Sequence, residues 1–510
     1  MTRSGTSSRT HRTRRALAGL LVAGIGLVPA ACGGSALDPV TVRAANEGVA
    51  GQLGSGAGTA TTGDGTTTAG GAVTGGGAGT GDAGGATGSA GSTGSTGGTA
   101  GGTAAGGDGG GAVSGSLKGT GGNAATGAVK AASCAGFKNS TGITDKTITI
   151  GNSSDVSGPV PGLFTSAQQA TKAYVAYFNA TSSICGRKLE LKTYDSRTDA
   201  GADQQAYQQM CEQTFAAVGS MSAFDSGGAP VAEDCGLPDI RSSGVTAERA
   251  ACSTCFGALA TNAHQFENSV PDFMLKQFPE ASKKAAVLYV NAGAAAQNAR
   301  TQMAVEEKRG MKIIYSAGID VSEFNYGPYV QAMKDKGVRW VQFLGAYQQA
   351  ARLAKTMQQS GFEPDAYVLD PTGYNADYVK QAGDAADGTI VFMPMTPFEE
   401  ASSNRELQLY LTWLNQVAPG AQPSFFGLFS WSAARLFVEQ ATALGGDLSR
   451  QNLVKRLRGV TKWTANGLHA PQPVGSKKAS ECYRFLRLKG TKWVPFGGSR
   501  YLCTGVTTVG

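Results

Sequence analysis

The stretch TITIGNSSDVSGPVPG, residues 147–162, sets a β-branched run against a loop of small polar residues, glycine and proline. Alternating threonine and isoleucine favour a strand. Gly151, Asn152, Ser153 and the prolines beyond them then break it into a turn. A helical segment, SAQQATKAYVAYFNA (166–180), follows directly. The fold depends on whether this strand–loop–helix unit repeats.

It does repeat. RKLELKTYD (187–195) reads as a second strand, followed by a helix over DQQAYQQMCEQTFAA (203–217). AVGSMS (217–222) and PDIRSSG (238–244) read as short strands ending in small polar residues. After TNAHQFENSV the pattern restarts with KAAVLYVN, MKIIYSAGI, WVQFLGA, DAYVLD and GTIVFMP, each separated by a helical segment. Such alternation predicts an α/β protein with parallel sheets covered on both faces. The restart predicts two Rossmann-like lobes in series. About 360 residues of ordinary composition, from Ser140 onward, exceed what one core usually serves.

What precedes the repeating part is of another kind. Arg3, Arg9, Arg12, Arg14 and Arg15 form a basic segment without acids, and Ala16 to Val28 is a short apolar run. Together they read as an export signal, too short to span a membrane. Small residues Ala30 and Ala31 precede Cys32, so the thiol sits where a bacterial lipoprotein is cleaved and acylated. Pro29 departs from that pattern and leaves plain secretion as the alternative; Arg14-Arg15 alone is a weak twin-arginine signal. The tract from Gly33 to Gly127 is glycine, threonine and alanine, with no proline between Pro39 and Pro159. It has neither a collagen period nor apolar side chains enough to offset chain entropy, so disorder is expected. A flexible coil of roughly 100 residues spans about 50–60 Å. It reads as a leash.

The formal charge of +7 includes the five signal arginines, leaving about +2 without them. No basic patch interleaved with aromatics appears, so nucleic acid is not an expected partner. Of nine cysteines, eight follow Cys32, an even number in an exported chain. Proximity suggests Cys211 with Cys235, Cys482 with Cys503 and Cys252 with Cys255, which leaves Cys134 for Cys185. CSTC at 252–255 has a redox or metal alternative, but no histidine or further cysteine lies near it, and no metal site or cofactor is expected. Catalysis finds little material. His264 and His469 are the histidines beyond the signal, and HExxH, GxSxG and P-loop motifs are missing. Carboxylate-only chemistry of the glycosidase kind stays open.

In open parallel sheets, ligands bind beyond the carboxyl ends of the strands. Here those ends are NSSDVSGP, GSMSAFDSGG, RSSGVTAE, VNAG, LGAY and LDPTGYN. Any one of them is explained by turn formation. Their recurrence at six strand ends points to a polar cleft.

The ordered series TITIGNSSDVSGPVPG, ICGRKLELKTYDSRTDAGADQQAYQQMCEQ, FAAVGSMSAFDSGGAPVAEDCGLPDI, VQFLGAYQQAARLAKTMQQSGFEPDAYVLDPTGYN and WSAARLFVEQA resembles the branched-chain-amino-acid-binding type of ABC-transporter substrate-binding protein. The likeness runs from about Ile143 to Cys503. It implies the type I periplasmic binding fold, with two lobes joined by several crossovers and a ligand clamped between them. The expected layout is a signal peptide (1–31), Cys32 and linker (32–140), lobe 1 (141–262), lobe 2 (263–397), a return to lobe 1 (398–465) and a return to lobe 2 (466–510). By position, Ser220, Ser222, Ser242 and Ser243 would face the ligand from lobe 1, and Tyr347, Thr372 and Tyr374 from lobe 2. Trp431 falls where the family often has an aromatic at the cleft edge, though it equally suits the start of a buried helix. Thr372 replaces the glutamate that pairs with the amino-acid ammonium in the family, so the branched-chain amino acids are not expected ligands. Asp225 is the candidate substitute, with helix capping as its alternative role. The expected partners are a small polar molecule and an ABC permease, with the protein a monomer held at the outer face of a bacterial cytoplasmic membrane. The competing class is a sensor or surface-interaction module on the same fold.

Overall fold

The computed structural model describes residues 130–510. The signal peptide, Cys32 and the glycine tract from Gly33 to Gly127 lie outside the described residues. The chain runs β1 (Thr147–Ser154), α1 (Thr165–Thr181), β2 (Lys188–Asp195), α2 (Ala200–Gln213), β3 (Ala216–Val218), α3 (Gly228–Asp234), β4 (Asp239–Ser243), α4 (Ala247–Ala251) and β5 (Cys255–Leu259). It continues with β6 (Gln265–Glu267), α5 (Ser269–Gln277), β7 (Ala285–Val290), α6 (Gly293–Lys308), β8 (Ile313–Ile319), α7 (Gly327–Asp335), β9 (Trp340–Leu344), α8 (Tyr347–Gln359), β10 (Ala366–Leu369), α9 (Ala376–Ala382) and β11 (Ile390–Met393). Three helices follow, α10 (Arg405–Val417), α11 (Phe425–Leu444) and α12 (Arg450–Leu457), and then β12 (Cys482–Lys489), β13 (Lys492–Phe496), β14 (Leu502–Cys503) and β15 (Val506–Thr508).

Two sheets result, as the restart in the sequence predicts. The first is parallel, in the order β2-β1-β3-β4-β5. The second runs β13-β12-β11-β10-β9-β7-β8 and is parallel from β11 to β8. One edge differs from the all-parallel expectation: β12 pairs antiparallel with β11 and with β13. Only two residues separate β12 from β13, so the chain can return only as a hairpin, and Gly490 takes the positive φ (58°) that the tight turn needs. The helix read as continuing to residue 217 stops at Gln213, where the backbone N–H of Thr214 caps it; Ala216 and Ala217 enter β3 instead.

Helix α11 ties the lobe 1 sheet together. Its sequence FFGLFSWSAARLFVEQATAL is mostly apolar, with the Arg435–Glu439 pair on one face, and most of its residues are buried. It packs on α1, β3, β4 and β5. Residues 132–140, placed with the linker on sequence grounds, are held to this body. Ala132 N–H donates to the Thr442 carbonyl, Gly446 N–H donates to Ser133, and Cys134 is bonded to Cys185. The other cysteines pair as Cys211–Cys235, Cys252–Cys255 and Cys482–Cys503.

Three crossovers connect the lobes, and they run side by side. The segment after β5, the segment after β11 and the segment before β12 exchange backbone hydrogen bonds: Ala470 N–H to Pro394 O (2.7 Å), Thr396 N–H to Leu468 O (2.9 Å) and Ser480 N–H to Ala260 O (2.8 Å). Gln472, fully buried, fastens them further. Its Oε1 accepts from Ala260 N–H at 3.0 Å and its Nε2 donates to the Ala470 carbonyl and the Ser480 hydroxyl.

Candidate functional site

Beyond the carboxyl ends of β4, β5 and β10 lies a cleft of about 130 Å³. By the same measure one water needs on the order of 10–15 Å³, so the space suits a small organic molecule. From lobe 1 come Ser243, Leu259 and the first residues of α11, Phe425 and Phe426. The crossover contributes Thr261, Asn262 and Ala263. Lobe 2 supplies Glu267 from β6, Asn298 and Gln302 from α6, Asp370 at the end of β10, and Phe392 and Tyr483.

Each polar group is positioned by local chemistry. Ser243 Oγ lies 3.1 Å from Thr261 Oγ1, which also donates to the Gly244 carbonyl. Asp370 caps the turn that follows it, accepting from Thr372 N–H at 3.0 Å and from the Thr372 hydroxyl. Glu267 is buried on a strand that pairs only with β15, in register Val506↔Glu267. Burial pushes the Glu267 carboxyl up to about 8, with the neighbouring Glu306 adding to the rise and the Tyr483 hydroxyl working against it. Asp370 is pushed up to about 6, again by burial, against the lowering effect of the Thr372 hydrogen bonds.

Among the residues expected to bind ligand, Ser243 lines this cleft and the others do different things. Ser220 Oγ accepts from Ser153 N–H (3.1 Å), Ser222 Oγ accepts from Phe224 N–H (3.1 Å), and Ser242 donates to the Phe426 carbonyl (2.8 Å). All three are buried and serve the junctions between strand ends. Thr372 stands behind Asp370, its hydroxyl also 2.8 Å from the Gly345 carbonyl. Tyr347 begins α8 half-buried, outside the lining set. Tyr374 is buried between Phe398 and Trp493, donating to Glu399 Oε2 at 2.5 Å. Trp431 is fully buried rather than at a cleft edge; its indole donates to Glu406 Oε1 at 2.7 Å and its ring meets Tyr174 and Tyr177.

Asp225 is also not free for a ligand. It accepts from Val245 N–H, Thr246 N–H and the Thr246 hydroxyl, and lies 3.6 Å from Arg241 Nε. Two arginines and three aspartates form one buried network there. Arg249 bonds Asp203 (2.9 Å) and Asp239 (2.8 Å), while Arg241 reaches Asp239 and donates to the Tyr207 hydroxyl. Neither histidine joins the site. His264 is exposed and outside the lining set. His469 is buried on Phe429, bonded to Ser432, and burial lowers it to about 4. Among the described residues no three His, Cys, Asp or Glu side chains converge on a metal position, and no helix is long and apolar enough to cross a membrane.

Glu267, Asn298, Gln302 and Phe426 escaped the sequence reading. Glu267 lies in TNAHQFENSV, a segment without periodic signal, and reaches the cleft through pairing with the far end of the chain. Asp370 stood inside the quoted LDPTGYN, two places from the threonine that drew attention.

A family model described as periplasmic binding protein matches residues 147–492. Among solved structures, the isoleucine complex of the branched-chain amino acid transporter substrate-binding protein LivJ from Streptococcus pneumoniae aligns at TM-score 0.60 and 16% identity, over 70% of this chain and all of that one. A fatty acid ABC transporter substrate-binding protein from Thermomonospora curvata aligns at 0.63 and 17%, over 72% and 95%. An ABC-transporter solute-binding protein from R. palustris in complex with 4-hydroxybenzoate aligns at 0.59 and 14%, over 70% and 97%. At such identities these likenesses carry the fold. Among curated proteins none matches.

Proposed function

This chain belongs to the periplasmic binding protein family, and from that premise we propose that it is a lipid-anchored receptor for a small polar organic molecule, which it delivers to an ABC importer. The observation that carries the proposal is the cleft itself: it opens beyond the strand ends of both lobes, and the lobes are joined by three parallel-lying crossovers. Two rigid sheets on a narrow hinge can close over a solute and reopen, which is capture and release rather than catalysis. Exported through its N-terminal signal, the protein would be acylated at Cys32 and held at the outer face of the cytoplasmic membrane. The glycine tract would let a monomer reach its permease, and four disulfides would suit that oxidising side.

The test has two parts. Mass spectrometry of molecules retained by the purified protein should recover one small organic species, released on unfolding; a protein that retains nothing and binds nothing from a solute library overturns the reading. Cys32→Ser should shift the protein from the membrane fraction to the medium, and unchanged membrane retention overturns the anchor.

A further inference from the structure

The cleft contains two carboxylates and no lysine, arginine or histidine among its lining residues. Elsewhere in this protein most buried acids are matched: Asp203, Asp225 and Asp239 meet Arg241 and Arg249, Glu406 meets Arg435, and Asp155, without a cation, is held by the Ser196 hydroxyl and the Thr198 and Ala223 N–H groups. Among the described residues none of the ion pairs includes Glu267, Asp370 or Glu306. The charged group that acts on Glu267 is another acid, Glu306.

The hydrogen-bonding inventory is lopsided in the same sense. Both oxygens of Glu306 and Gln342 Oε1 lack partners, while Gln342 Nε2 is already given to Gln302 Oε1 at 2.6 Å. Asp370 receives both of its donors, the Thr372 N–H and hydroxyl, on one oxygen, Oδ1. Acceptors without partners therefore lie behind the lobe 2 wall, and the wall itself offers two carboxyl groups beside neutral amides and a tyrosine hydroxyl. Opposite it, Phe425 and Phe426 present apolar faces. An unpaired buried carboxylate is disfavoured by several kcal/mol, and a partner cation with hydrogen-bond donors relieves that penalty. A guest carboxylate would add like charge and find no cation.

From this arrangement, and resting on the solute-receptor reading above, we infer that the ligand carries a protonated nitrogen, an amine or guanidine, held by Glu267 with Asp370 beside it, and an apolar body set against Phe425 and Phe426. Glu267 stands on β6 whereas Thr372 follows β10, so this position differs from that of the glutamate the resemblance implies at 372.

Calorimetry on the full, ligand-stripped chain tests the inference with four probes: 2-phenylethylamine, agmatine, 2-phenylethanol and 3-phenylpropionate. At least one of the two cations should bind tenfold or more tightly than the alcohol and the acid. Glu267→Gln, an isosteric neutral change, should weaken that cation at least tenfold. Asn298→Lys, on the partly exposed cleft wall, keeps both acids but introduces a competing cation, and should have the same effect. The alcohol or the acid binding as tightly as the cations overturns the inference, as does cation binding unchanged in both variants. If no probe binds, the retained molecule decides. A cation sustains the inference, an anionic or neutral species overturns it while leaving the receptor reading intact, and an empty cleft overturns both.

Discussion

The two lobes treat buried acids in opposite ways. In lobe 1, three aspartates are locked to two arginines and a tyrosine with no solvent contact. In lobe 2, Glu267 and Glu306 are also buried, and the neighbours that act on them are other acids, Gln342 and the Tyr483 hydroxyl. A charge answered from within the chain is spent on holding that part of the chain together. An acid left without a cation holds its proton in the empty protein and can surrender it to a cation that enters. The lobe 1 network joins α2, the loop bearing Asp225, β4 and α4 into one block; among the described residues Glu267 and Glu306 take part in no ion pair.

The contrast breaks most visibly at Arg249. Arg249→Met strands Asp203 and Asp239 in a dry interior, and removing one partner of a buried pair typically costs about 3–5 kcal/mol. Denaturant unfolding should show a loss of that size; a loss under about 1 kcal/mol would mean that the network is not the brace described. Glu306→Gln should act in the other direction. Burial raises the Glu306 carboxyl from its ordinary 4.5 to about 8, so the folded state holds this proton more tightly than the unfolded chain does. The fold gains fully from this below about pH 4.5 and loses the gain as pH climbs through about 8. The groups facing Glu306 are Gln342, Glu267 and the adjacent Glu307, none of them a cation. The glutamine variant should therefore be more stable at pH 8, by about 1–3 kcal/mol. Its melting temperature should also vary less with pH than that of the parent. An unchanged pH profile would show that Glu306 does not carry the proton. Thr372→Val has the smallest expected effect. It removes the hydroxyl from Asp370 and should lower stability by about 0.5–1.5 kcal/mol in thermal melts. A larger loss would make this turn a brace of the lobe 1 kind.

Period and turn chemistry carried the fold. TITIGNSS, KLELKTYD, AAVLYV, WVQFL and AYVL all fall in strands, and the restart after residue 270 became a second sheet. The hairpin edge β12–β13 was missed, although KGTK is a readable tight turn. The site was less legible because strand-end polarity serves two masters. Ser220, Ser222 and Ser242 stand at strand ends, where the resemblance implies ligand contacts, and their hydroxyls bond backbone groups. Trp431 carried a usable signal: it stands early in a mostly apolar helix, where an indole belongs in the core. Glu267 carried none, since nothing local distinguishes it from a surface glutamate.

That glutamate depends on the order in which the chain becomes complete. β6 finds its one strand partner among the last residues of the chain, and Gln265 Nε2 meets Thr508 Oγ1 across 243 positions. Contacts this distant in sequence form late, after the intervening units have folded. A chain emerging N-terminus first can build its lobe 1 sheet and most of lobe 2 while β6 is still without a mate. The wall bearing Glu267 is therefore tied to residues 506–508, more than two hundred positions along the chain.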